Sequence, residues 1–149
     1  MCMITEQKKM QVVEEPEVCY QIKLKKDSGI ITGIFRYSLH HIIEFGKKRV
    51  ASAAYPIITP DNTVEGGVFH CIKDLEDAKR MLKILVSNGI LNRFSVFNPN
   101  YLGDDVPILV ECIGDGKKVV GKIKDMSIDV DGLPCVGYTE ITYIKEVEV

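Results

Sequence analysis

Val68-Phe69-His70-Cys71-Ile72-Lys73-Asp74-Leu75-Glu76-Asp77-Ala78-Lys79-Arg80-Met81-Leu82-Lys83-Ile84-Leu85-Val86-Ser87-Asn88 joins two kinds of local order, and that junction decides the fold class. Residues 68–72 form a short apolar run with the character of a strand. Asp74 is placed to cap a helix, and Glu76 and Asp77 fall in its first turn, where the helix dipole favours negative charge. Leu75, Ala78, Met81, Leu82, Leu85 and Val86 then recur along one face, with Lys79, Arg80 and Lys83 off it. Asn88-Gly89 supplies the stop, so the spacing predicts one helix over residues 74–88.

Outward from this unit the chain reads as strands. Upstream, Tyr20, Ile22 and Leu24 alternate with Gln21 and Lys23, the period of a half-buried strand. Lys26-Asp27-Ser28-Gly29 carries turn chemistry, and Ile30 to Tyr37 reads as the returning arm of a hairpin. Residues 38–50 leave two readings open: a short helix capped by Ser38, or a strand from Ile42 to Phe45 turning at Gly46, which is slightly favoured. Pro56, Pro60, Asp61, Asn62, Gly66 and Gly67 make 56–67 a long loop, and 98–106 reads as another. Downstream, Ile108 to Ile113 and Val119 to Lys124 are strands, with Gly114-Asp115-Gly116 read as the hairpin turn between them. Glu140 to Val149 alternates again, placing Ile141, Tyr143 and Val147 on one face, with Ile144 out of pattern. The expected architecture is α+β, a single mostly antiparallel β-sheet domain with one main helix packed on it. That domain is expected to span 17–149, after a flexible N-terminal arm, 1–16, closed by Pro16.

Composition narrows the function classes. A chain of 149 residues can bury a core without disulfides or a structural metal. The net charge of −2, from 19 basic and 21 acidic residues, offers no strong nucleic-acid signal. The short basic runs Lys23, Lys25, Lys26 and Lys47, Lys48, Arg49 read as solvated strand or turn surface. No segment reaches the length of a membrane span, and the N-terminus lacks the apolar core of a signal peptide, so a cytoplasmic protein with no membrane partner is expected. The five cysteines are scattered and form no C-x-x-C pair, which reads as reduced thiols buried like small hydrophobes.

His70 is the leading candidate for chemistry, because an imidazole titrates near neutral pH; the bland alternative is a strand histidine hydrogen-bonded to backbone. A zinc site from His70, Cys71, Cys112 and Cys135 is disfavoured, since strand neighbours His70 and Cys71 must point to opposite faces. His40, His41 and Glu44 form a second cluster that suits a solvated pair better than a metal. Neither a phosphate-cradling loop nor a dinucleotide fingerprint is present, and no cofactor or metal is expected.

Gly67-Val68-Phe69-His70-Cys71 followed by Asp74-Leu75-Glu76-Asp77-Ala78 resembles the centre of a group of small, uncharacterised phage and bacterial proteins with a Gly-aromatic-His strand and an Asp/Ala-containing helix start. Tyr20-Gln21-Ile22-Lys23, Phe45-Gly46-Lys47, Leu109-Val110-Glu111-Cys112 and the strand Ile141 to Val149 are similar to its other elements. Val68, between Gly67 and Phe69, departs from that pattern. The resemblance implies a fold and a mobile-element origin, and no reaction.

These readings favour a small accessory or binding protein over an enzyme, acting through a protein partner by its long loops or by strand addition. The alternative is a nucleotide-dependent transferase or hydrolase. A strand-loop-strand-helix order resembles the start of an ADP-ribosyltransferase-type fold, and His70 with Glu111 or Glu140 would then stand in a cleft. A homodimer through the final strand stays open.

Overall fold

Two long antiparallel strands organise the molecule: β8 (Val106–Lys124) and β9 (Pro134–Val147). The computed structural model describes residues 2–33, 42–51, 58–87, 106–124 and 130–148. On the other side of β8 lie β3 (Glu17–Lys25), β2 (Gln11–Val12) and β1 (Cys2–Ile4). β4 (Ile31–Thr32) extends β3, and β6 (Thr63–Val64) extends β1. The outer edge of β9 carries β5 (Lys48–Val50) and β7 (Phe69–Cys71). Among the described residues they make a nine-stranded sheet in which every pairing is antiparallel. Among the described residues no helix is long and apolar enough to cross a membrane.

The helix α1 (Leu75–Ser87) forms where its capping signal stands. Asp74 Oδ1 accepts from the Asp77 N–H at 2.9 Å, and the Asp74 carbonyl accepts from the Ala78 N–H. Ala78, Met81, Leu82 and Leu85 are buried against Leu24, Leu109, Val119 and Ile123 of the sheet. Ile84 joins this packing, whereas Val86, expected on the buried face, is exposed.

Several expectations change. Residues 2–4 and 11–12, expected in a flexible arm, are strands of the sheet, and Met3 is fully buried opposite Ile123. Gly114-Asp115-Gly116 is not a hairpin turn: β8 runs through it as one strand with a bulge between Asp115 and Lys118. Gly116 sits at φ +78°, and the Lys117 N–H is taken by Thr139 Oγ1 across the strand pair. Gly114 is required by a close approach, since a Cβ there would lie 2.4 Å from the Tyr138 ring. The stretch 56–67 holds β6, closed by a turn in which the Asn62 N–H reaches the Thr59 carbonyl. The returning arm at 30–37 contributes β4, and of residues 42–50 only Lys48–Val50 form a named strand. Residues 34–41 and 98–105, including His40 and His41, lie outside the described residues.

The final strand carries a second register shift, between Glu111 and Cys112 of β8. Tyr143 therefore faces Cys112, while Val147 faces Leu109 on the opposite side of the sheet. Each face has its own core. The helix side buries Met3, Leu24, Leu82, Leu109, Val119 and Cys135. The other side buries Cys19, Cys71, Val110, Cys112, Tyr138 and Tyr143. The ladder is open, yet it curls: Ile72, next to β7, exchanges two backbone hydrogen bonds with Tyr20 of β3. The second face is thereby folded in on itself.

Candidate functional site

The polar register of β3 faces inward, and this builds the most unusual environment in the molecule. Cys19, Gln21 and Lys23 alternate along the strand opposite Cys112, Val110 and Ile108 of β8. Cys19, Cys71 and Cys112 are fully buried and free. Cys19 lies against both other thiols. Contact with Cys112, together with burial, holds its thiol well above the ordinary range. Burial does the same for Cys71. Cys19 and Cys71 are therefore neutral at physiological pH and poor nucleophiles.

Gln21 ties the face together. Its Nε2 donates to the His70 carbonyl at 2.9 Å and lies 3.5 Å from Cys71 Sγ. Its Oε1 accepts from the Tyr143 hydroxyl at 3.0 Å. Lys23 Nζ stands 5.4 Å from the centre of the Tyr143 ring, within cation–π range. Loss of solvation pulls the Lys23 amine down to about 8, and the Arg49 charge pushes in the same direction. Arg49 reaches this face from β5, where it pairs with the buried Ile141.

At the other end of β3, Glu17 collects three donors: Lys73 and Lys118 at 2.7 Å each, and the Tyr138 hydroxyl at 2.7 Å. Burial opposes its charge, but these hydrogen bonds outweigh it and hold the carboxyl at about 2. A groove of about 600 Å³ lies beside it, lined by Gln11, Val12, Glu14, Glu15, Pro16, Glu17 and Lys118. With its acid matched by three donors, this cluster is a strut between β3, β8 and β9.

The residues singled out from the sequence do not converge. His70 sits in β7 opposite Gly137, on the helix side of the sheet, with its Nδ1 buried and without a partner among the described residues. Burial pulls the imidazole down to about 4, so it is neutral at pH 7. Glu111 pairs with Tyr20, which in turn bridges to Ile72, so two side chains and roughly 10 Å of sheet separate it from His70. Glu140 lies three residues beyond Gly137, about 10 Å along β9, and pairs with Lys48 at 3.5 Å. His70 and Cys71 do point to opposite faces: Cys71 belongs to the thiol cluster, and Cys135 to the helix-side core. Among the described residues no group of three or more potential ligands is placed to hold a metal ion.

Lys23 and Arg49, read from the sequence as solvated strand or turn surface, are half-buried here, and Gln21 and Tyr143 were not singled out as site residues. The available signal was Cys19, an apolar residue in the polar register of β3, together with the unbroken apolar run Ile108-Leu109-Val110 in its partner strand. A strand apolar on both faces is covered on both. No family model, curated protein or solved structure matches the chain. The resemblance drawn from the short motifs across residues 19–149 rests on those motifs alone.

Proposed function

We propose that this chain is a small binding protein that takes up an extended segment of a protein partner along the outer edge of β5. The observation that carries the reading is the state of that edge. Arg49 lies opposite Ile141, and the Ala51 N–H donates to Thr139 at 2.8 Å. In an antiparallel ladder this alternation turns the peptide groups of Lys48 and Val50 away from β9. Among the described residues nothing pairs with them, and such an edge is a template for another strand. Apolar side chains flank it: Val50 is 69% exposed, Ile42 57% and Phe45 47%.

A second copy of the chain is a poor occupant, because antiparallel self-pairing centred on Arg49 would set like charges opposite each other. The test is affinity capture from source cells with the wild type and Val50→Pro side by side, the partner identified by mass spectrometry. Proline removes an outward N–H and is tolerated at an edge. The expected result is a specific protein recovered by the wild type and by Val50→Thr, lost with Val50→Pro at unchanged melting temperature. Equal recovery by Val50→Pro would overturn the reading.

A further inference from the structure

Lys23 and Arg49 stand out in the charge pattern. The described ion pairs give Lys25, Lys47, Lys48, Lys73, Lys79 and Lys118 a carboxylate each, and Lys48 has two. Among the described residues neither Lys23 nor Arg49 meets one, although both are half-buried. They come from different strands, β3 and β5, and flank Tyr143: Lys23 Nζ lies 5.4 Å from its ring centre, and Arg49 pairs with Ile141, two residues before Tyr143 on the same face of β9. Two cations beside one ring and out of full contact with water repel each other, and among the described residues no carboxylate relieves this; Lys23 has only the face of the Tyr143 ring.

The groups around them are neutral. Tyr143 presents its ring to Lys23 and donates its hydroxyl proton to Gln21. Cys19 and Cys71 are held as thiols. The cation–π contact uses none of the three ammonium donors of Lys23, and the five guanidinium donors of Arg49 are likewise uncommitted to any described acceptor. A doubly positive, donor-rich wall in a chain of net charge −2 is the chemistry of an oxyanion receptor.

We infer that Lys23 and Arg49, with the Tyr143 ring as the wall beside them, form a binding site for a small oxyanion, a phosphate or carboxylate group. The anion would neutralise both charges and take hydrogen bonds from both. This site goes beyond the strand-addition reading and stands if that reading fails. Its ligand has two conceivable sources, a free small molecule or an acidic side chain of the partner, and one variant separates them.

The experiment is an NMR titration of the labelled protein with inorganic phosphate and with acetate, against chloride at matched ionic strength. Lys23 Nζ and Arg49 Nε serve as reporters. Saturable shifts at both residues are expected, with the titration midpoint of Lys23 rising toward the ordinary lysine value once the anion is bound. The groups facing that amine are Arg49, Tyr143, Cys71 and Cys112, and burial holds the Tyr143 hydroxyl and the Cys71 thiol in their neutral forms. Arg49→Gln, on an edge strand, should bind at least about tenfold more weakly with its melting temperature preserved. Shifts that follow chloride, or an Arg49→Gln variant that titrates like the wild type, would overturn the site. If Arg49→Gln loses phosphate but still captures the partner, the ligand is a free anion. If it loses both, the ligand is the partner's carboxylate.

Discussion

Tyr20 and Ile72 exchange a reciprocal pair of backbone hydrogen bonds, 2.8 and 2.9 Å long, and this bridge, beside the Gln21 bond to the His70 carbonyl, ties β7 back to β3. Because β7 is also paired with β9, the bridge is what curls the sheet around Cys19, Cys71 and Cys112. Ile72→Pro removes one of the two donors, leaves the Tyr20 carbonyl without its partner, and should cost about 2–3 kcal/mol. Ile72→Val keeps the bridge and trims one methylene, for about 0.5–1.5 kcal/mol. Urea unfolding measures both, and thiol titration of the folded proteins reports whether the curl has opened. Faster thiol labelling is expected only in the proline variant. Equal costs for the two substitutions would count against the bridge.

Glu17 sets the acid limit of the fold. Its carboxyl is held at about 2 in the folded chain against an ordinary value of 4.5. A depressed carboxyl contributes stability that is fully present above the unfolded value and is lost as pH falls from about 4.5 toward 2. Glu17→Gln should therefore cost about 2 kcal/mol at neutral pH, after a discount for partial exposure, and lose part of the slope between those values. Denaturation curves of the two proteins at stepped pH should converge near pH 2. A constant gap down to that pH would show that the three donors do not stabilise the charge.

The helix and the strand before it were legible because their signals are local. Asp74, the acidic first turn and the periodic apolar face all lie within one stretch of chain. The faces of β3 were not legible in the same way. Alternation tells which side chains share a face, but whether the polar face meets water depends on the curl, and the curl depends on a bridge between residues 20 and 72. Gly114-Asp115-Gly116 misled for a related reason. Positive-φ glycine serves a turn and a bulge equally, and here the partner groups on β9, Tyr138 packed over Gly114 and Thr139 beside Gly116, make it a bulge. Arg49 and Tyr143 come from distant segments, so no short window could have joined them to Lys23.

Lys23 is expected to cost the fold stability rather than supply it. Its amine titrates at about 8 in the folded chain and at 10.5 when unperturbed, through loss of solvation first and the Arg49 charge as a lesser cause. Between those values the unfolded chain binds a proton that the folded chain has released, so stability rises with pH across this window. Below about 8 the folded protein carries the charge in a poorly solvated place, and the penalty is present in full. Lys23→Met retains the length of the side chain and removes the charge. In phosphate-free buffer at pH 7 it should be more stable than the wild type by about 1–2 kcal/mol. The difference should shrink steadily from pH 8 to 10.5, which chemical denaturation at stepped pH will follow. A variant less stable than the wild type at pH 7 would mean that the contact of Lys23 with Tyr143 outweighs the cost of its desolvation.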